Sequence, residues 1–464
     1  MLRSPWERVT ALAVLAGALW LPFAGRSLSP DEGGLLIVGS QWAEGSSLYG
    51  DYFVDRPPLL IAVFSVADAA GGTPWVLRAI GVLAVMTTVL LAGLVGRIAA
   101  DAPVLPALTA ALLVSTPLLG ATVVNGELLG LPFLLGGCAA VLAAARSESW
   151  WRWALLAGVL GACGALVKQS LLDVFVLAFV LLLTRRRYGA LGVVLGAAAA
   201  TVVLVAGFAA LRGTAPGDLW DAVVVFRQEA ATVIATSATA STPARLARML
   251  LALLATGAPL LVVALARRGR HAPLLWPAVA VLGWETLTVL AGGSYWLHYL
   301  MVLVPGLVLL TAAATQRLSR PDRLLRTAYV LAAVSTAAAL AWTQFQPYER
   351  PEEPAIAWLE AHSRPGETAV VAFGGANILR ETGLVSPYPE LWSLPVRVHD
   401  PDLVALGALL SSSDRPTWLI VAGRSLSTWG VDGAGADRVV DERYEAATTA
   451  GGWTIYRTLR SEDR

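Results

Sequence analysis

Runs of near-continuous apolar residues, each about 20 long, follow one another from the N-terminus to about residue 345. Hydrocarbon offers no partner to a backbone N–H or C=O, so such runs cross a bilayer only as internally bonded helices. They fall near 9–26, 75–97, 103–123, 127–145, 153–167, 170–184, 189–211, 247–266, 272–291, 298–315 and 325–343. The pattern predicts a mainly α, polytopic transmembrane bundle of about eleven spans. With 56% hydrophobic and 14% charged residues, the chain lacks the charged shell of a soluble domain, and its apolar surplus has to face lipid. Val9 to Phe23 follows Arg3 and Arg8 as the core of a secretory leader would, but the spans behind it make it a retained helix. Cys138 and Cys163 both lie inside apolar runs and behave there as small apolar residues.

Arginines fall on alternate connections: Arg146 and Arg152, Arg185 to Arg187, Arg267, Arg268 and Arg270, then Arg317, Arg320, Arg323 and Arg326. Cytoplasmic connections collect positive charge, so this side, with the N-terminus, is expected in the cytoplasm. The other side carries two long loops, 26–74 and 212–248, and everything beyond about Gln346. Leu59 to Ala70 is apolar but too short to span, and reads as an interfacial or re-entrant helix. Leu219, Val223 and Phe226 recur at helical spacing within Asp218 to Ala235, a second expected surface helix. Together the two would roof a cavity.

The chain divides into a transmembrane domain, 1–346, and a small extracytoplasmic α/β domain, 347–464. In the latter a prolyl linker (Pro347, Pro351, Pro354) precedes a helix through Ile356 and Leu359. Strands are expected at Thr368 to Phe373, Trp418 to Val421 and Trp453 to Tyr456, with a helix at Asp402 to Leu410. A net charge of +1 gives no basic field for nucleic acid.

Ionisable groups at membrane depth are costly and usually face a cavity or a partner. Several polar clusters meet on the outer side. SPDEGG places Asp31 and Glu32 after the first span, an arrangement that serves equally as a capping turn. YGDYFVDRPPLL carries Tyr49, Asp51 and Arg56; Pro57 and Pro58 fix the start of the surface helix, and Arg56 either grips phosphate in two-pronged fashion or snorkels. NGELLGLPF sets Glu127 at the outer end of a hairpin. LVKQSLL holds Lys168, the one lysine of the chain, with Gln169 beside it; its ammonium needs an anion, either a carboxylate such as Asp173 or a substrate phosphate. GGSYWLHYLMVLVP brings Tyr295, His298 and Tyr299 to an outer boundary, where tyrosines are also plain interfacial anchors. Glu285 should be paired or face the cavity.

These motifs, in this order, resemble those of the C-type (GT-C) glycosyltransferases, in the bacterial branch related to protein O-mannosyltransferases and the lipid A aminoarabinose transferase. The likeness runs from Asp31 and Glu32 through Arg56 to Pro58, the NGE turn and Lys168–Gln169 to the GGSYWLHY segment; the C-terminal domain matches no motif of the family. It implies a sugar donor on polyprenyl phosphate, an acceptor that is a glycan, lipid or protein, membrane lipids as surroundings, and an inverting single displacement at the outer face of a bacterial cytoplasmic membrane. Asp31 would be the base, with Glu127 orienting acceptor or base. Glu32, Tyr49, Asp51, Arg56, Lys168, Gln169, Tyr295, His298 and Tyr299 would contact substrate. No metal ligand set is assigned and a divalent cation is left open. The absence of a nucleotide-type glycine loop fits a lipid-linked donor. The rival reading is a transporter or flippase of a lipid-linked or anionic substrate, whose site is expected at the midplane between repeats. A non-catalytic envelope protein would need neither the polar clusters nor so many spans.

Overall fold

The computed structural model describes residues 4–42, 45–236, 241–316, 323–345 and 350–459. Arg3, Arg317, Arg320, Gln346 and Pro347, used in the sequence reading, lie outside the described residues.

Every apolar run read from the sequence contains a helix. After α1 (Pro5–Ala18) and a short 3₁₀ turn come α2 (Pro30–Gln41), α3 (Pro58–Ala69), α4 (Pro74–Ala100), α5 (Val104–Ser115), α6 (Gly126–Ala144), α7 (Trp150–Val167), α8 (Asp173–Thr184) and α9 (Tyr188–Leu211). The second long loop holds α10 (Pro216–Trp220) and α11 (Phe226–Thr236), joined by a π-helical turn over Asp221–Val225. Then follow α12 (Thr242–Ala255), α13 (Ala258–Gly269), α14 (Leu275–Ala291), a 3₁₀ segment Leu297–Leu303 running into α15 (Val304–Thr315), and α16 (Arg323–Phe345). The molecule is a multi-pass membrane bundle. Among the described residues, six helices have the length and hydropathy to cross a bilayer, or seven if α12 and α13, bent by 52° at Thr256–Gly257, form one span. Helices α3, α5, α8 and α14 are shorter apolar segments.

Small residues let the helices close on one another, as expected where packing and not water drives association. A Cβ at Gly158 of α7 would lie 2.3 Å from the Val194 carbonyl of α9. Both segments expected to form surface helices are helical: α3 packs against α2, α7 and α9, and Asp218 to Ala235 is helical throughout.

The C-terminal α/β module begins with α17 (Glu353–His362), led by Pro354, and continues β1 (Ala369–Ala372), α18 (Ala376–Thr382), α19 (Ser393–His399), α20 (Val404–Ser411), β2 (Trp418–Ala422), α21 (Ala434–Arg443), β3 (Tyr444–Ala450) and β4 (Trp453–Thr458). The sheet order is β1-β2-β4-β3, with β1 parallel to β2 and the rest antiparallel. Alternation along β1 and β2 sends Val370, Leu419 and Val421 into a small core with Phe373 and Leu406, while Val371, Trp418 and Ile420 join the large core that runs on into the bundle. The three expected strands are present; β3 is an additional edge strand.

Contacts tie this module to the first long loop, 26–74. Asn377 donates to the Leu28 carbonyl (3.1 Å), Tyr52 to the Ser386 carbonyl (3.0 Å), and Arg380 pairs with Asp68 (2.5 Å).

Candidate active site

Helix ends deliver most of the site. Asn125 caps α6 by accepting from Leu128 N (2.9 Å), which fixes Glu127 in the first turn. Helix α7 stops at Val167, and the chain turns through Lys168 to Leu172 before α8, with Trp284 Nε1 donating to the Ser170 carbonyl (3.1 Å) to hold the turn. The Lys168 ammonium thereby meets the Glu127 carboxylate and sits 4.5 Å from the centroid of the Tyr299 ring. His298 Nε2 lies 3.9 Å from the same Glu127 oxygen, its ring edge-on to Tyr299. Gly120, at φ +77°, lets a second turn press against the His298 backbone, where a Cβ would stand 3.0 Å from His298 N. Lys168 thus pairs with Glu127, while Asp173, the anion weighed for it in the sequence, sits within the bundle beside Glu285. Glu285 also accepts from Gly306 N (2.7 Å).

A second group assembles around Asp55. Its two carboxylate oxygens accept from Arg56 (2.8 Å) and from Arg227 of α11 (2.6 Å). Gln169 donates its amide to the Asp55 carbonyl (3.0 Å) and the Val223 carbonyl (3.3 Å), so it stitches the first outer loop to the second. Tyr49 donates to the Arg56 carbonyl (3.0 Å). Burial by itself would raise the Asp55 pKa, but the Arg56 and Arg227 guanidiniums outweigh it and hold the carboxyl below its usual value. For Arg56, burial works against the charge, whereas Asp55, Tyr299, Asp31 and Glu127 favour it, and the balance lies above the usual arginine value. That balance places Arg56 within electrostatic reach of both candidate acids. The Arg56 and Lys168 side chains remain 32% and 19% exposed, so neither cation is sealed in the core.

The adjacent acids of SPDEGG part company. Ser29 and Glu32 form a capping box at the start of α2. Glu32 is fully buried, pairs through both oxygens with Arg78 and also accepts from Val124 N (2.7 Å) and Ser29 N (2.9 Å). Expected to touch substrate, its carboxylate has no open face and ties α2, α4 and the turn before α6 together. Asp31, one residue earlier, is exposed and accepts from Trp392 Nε1 at 3.1 Å. Asp51, also expected at the substrate, lies apart: it lines a cavity of about 520 Å³ between the C-terminal half of α2 and residues 379–387. Tyr295 takes a left-handed φ of 54° and packs against the core. Sequence reasoning missed Asp55, Arg227 and Trp392. An arginine within the segment read as the second surface helix was a legible signal for Arg227; Trp392, 361 residues from Asp31, offered none. Among the described residues, no three His, Cys, Asp or Glu side chains gather as a metal set.

A multi-pass bundle with helices in its long loops and a C-terminal α/β module fastened to them is a fold that this chain shares with solved structures. Among solved structures, ArnT from Cupriavidus metallidurans bound to undecaprenyl phosphate is similar to this chain with a TM-score of 0.65, 13% identity and 98% coverage of each chain. The Archaeoglobus fulgidus oligosaccharyltransferase, in complex with Zn and sulfate, is similar with a TM-score of 0.54 and 12% identity over 96% of this chain and 73% of its own. Arabinofuranosyltransferase AftD from Mycobacteria gives 0.51 and 15% over 98% of this chain and 42% of its own. No family model matches the sequence, and no curated protein matches it.

Proposed function

We propose that this protein transfers a sugar from a polyprenyl-phosphate donor to a hydroxyl or amine of a cell-envelope acceptor, with inversion, at the outer face of a bacterial cytoplasmic membrane. In this reading the N-terminus is cytoplasmic and the 347–464 domain lies outside. One observation carries it: Glu127, Lys168 and His298 meet in one cluster, and Asp31 and Arg56, from two further stretches of chain, lie within electrostatic reach of it. The donor class is supported by the fold shared with an ArnT that binds undecaprenyl phosphate.

In the displacement the acceptor atom attacks the anomeric carbon as the bond from that carbon to the phosphate oxygen breaks, and the acceptor proton passes to Asp31. Negative charge grows on the departing lipid phosphate. Arg56 and Lys168, fixed beforehand by Asp55 and Glu127, meet that charge without reorganising. Arg227 brings a third cation from the second outer loop, and the apolar α3 would lie along the polyprenyl chain.

Purified protein in lipid, incubated with radiolabelled polyprenyl-phosphate sugars beside an Asp31→Asn variant, tests the reading. Turnover by the wild type and its loss in the variant are expected. Equal turnover in both removes Asp31 from the chemistry, and a wild type inert with every donor defeats the transferase.

A further inference from the structure

The SPDEGG segment carries two consecutive glycines directly after its acids, and both are occupied by the C-terminal module. A Cβ on Gly33 would stand 2.4 Å from the Cα of Asn377, and one on Gly34 would stand 2.4 Å from Cζ2 of Trp392. No real side chain tolerates such a distance, so the pair is there to let the module lie directly on α2. Asn377 is itself buried and donates to the Leu28 carbonyl just before the helix. The result is that the Trp392 indole lies against the first turns of α2 and reaches Asp31 with its N–H.

Trp392 is held from both sides. Upstream, Tyr52 donates to the Ser386 carbonyl, and Phe53 N donates to the Pro389 carbonyl (3.1 Å). Downstream, Trp392 is the N-cap residue of α19, whose last residue, His399, packs its ring against Phe53 (4.6 Å) and Phe226 (5.2 Å). Residues 386–399 therefore form a strap across both outer loops, with the indole at its middle. Asp31 is exposed, and among the described residues Trp392 is the one hydrogen-bond partner of its side chain. An exposed carboxylate at a helix start turns freely between rotamers unless something fixes it.

We propose that Trp392 is the positioning residue of the general base: its indole N–H fixes Asp31 through Oδ1, leaving Oδ2 to take the acceptor proton. The C-terminal module then completes the active site and is no mere appendage. This rests on Asp31 being the base.

The test is Trp392→Phe in the full-length protein in lipid, beside Asp31→Asn, with kcat and KM measured for donor and acceptor and unfolding temperature measured for each. Phenylalanine keeps a ring on the glycines and removes the N–H. The expected result is a kcat lower by roughly tenfold, since a hydrogen bond to a charged group is lost, with KM for the lipid donor and the unfolding temperature unchanged. A second variant, Gly34→Ala, pushes the indole off α2 and is expected to lose kcat in the same way. If Asp31→Asn is inactive while Trp392→Phe matches the wild type, the positioning role is overturned and the base stands. A Trp392→Phe loss accompanied by a fallen unfolding temperature makes the indole a docking residue only, and overturns the proposal. An active Asp31→Asn overturns the base reading and the positioning role together.

Discussion

Lys168 and Glu127, brought together from the end of α7 and the start of α6, form an ion pair in which the carboxylate is 3% exposed and the ammonium side chain 19%. The pair is asymmetric, and the asymmetry has a consequence. Removing the lysine strands a buried carboxylate, whereas removing both charges leaves nothing unpaired. Lys168→Met is expected to lower stability by about 3 kcal/mol and kcat by roughly 100-fold or more. In the double variant Lys168→Met with Glu127→Gln, the unfolding temperature should recover and the activity should not. Thermal unfolding in lipid and donor turnover read the two effects separately; recovery of both would assign Lys168 a structural role alone.

The Asp55 carboxylate acts as a common tether for Arg56 and Arg227. Asp55→Asn weakens the hold on both guanidiniums without removing either, so the cost should appear in donor binding, with KM for the polyprenyl-phosphate donor up by roughly tenfold and kcat changed far less. The pH dependence follows from sign. Because the folded carboxyl titrates below its ordinary value, the tether is fully present above the unfolded value near 4 and is lost only as pH falls through the lower, folded value. Donor KM should therefore stay flat from about pH 5 to 8 in the wild type. A rise within that range would assign donor binding to another group.

Asp31 and Glu32 are neighbours in sequence with opposite duties. Glu32 is enclosed with Arg78, so Glu32→Ala leaves a buried guanidinium without its anion and should cost about 3–5 kcal/mol. Asp31→Asn changes an exposed side chain with one hydrogen bond, and should leave the unfolding temperature within the error of measurement. Thermal unfolding of the two variants in the same lipid decides it. A stable Glu32→Ala with raised donor KM would return Glu32 to the substrate.

The reason the sequence could not separate those two acids is geometric. Successive helix residues point about 100° apart, and with apolar residues following both, nothing local says which faces the bundle. Length and hydropathy made the apolar helices legible, because hydrocarbon thickness is a hard constraint, yet among the described residues six or seven, against the eleven expected, are long enough to span, and the 52° bend after Ala255 was not foreseen. Proline and apolar spacing were enough for α3 and for the helix across Asp218 to Ala235. Strand β3, Tyr444–Ala450, was not legible, since an exposed edge strand alternates no apolar face. Arg56, Lys168, Glu127 and His298 stood out because a charge or an imidazole near lipid needs a reason. Trp392 and Asp55 did not, because a tryptophan in a soluble module is ordinary core material and an aspartate beside an arginine is an ordinary surface pair.

The strap that carries Trp392 should loosen at alkaline pH, and the sign can be worked through. His399 Nδ1 lies 2.7 Å from Glu390 Oε1, and that hydrogen bond, against partial burial, raises the imidazole pKa above its ordinary value, with Glu390 and Glu229 adding charge support. A raised value means that the contribution to docking is complete below the unfolded pKa of about 6.5 and disappears as pH climbs through the folded one. The protonated ring is the form that pairs with Glu390 while lying between Phe53 and Phe226. Amide hydrogen exchange over residues 386–399, corrected for the intrinsic pH dependence, should show protection falling as pH rises above about 6.5. His399→Phe keeps the aromatic contacts and removes the titration, so its protection should be flat across the same range. Identical pH profiles in the two proteins would separate the strap from His399 and leave its docking to Tyr52, Phe53 and Trp392.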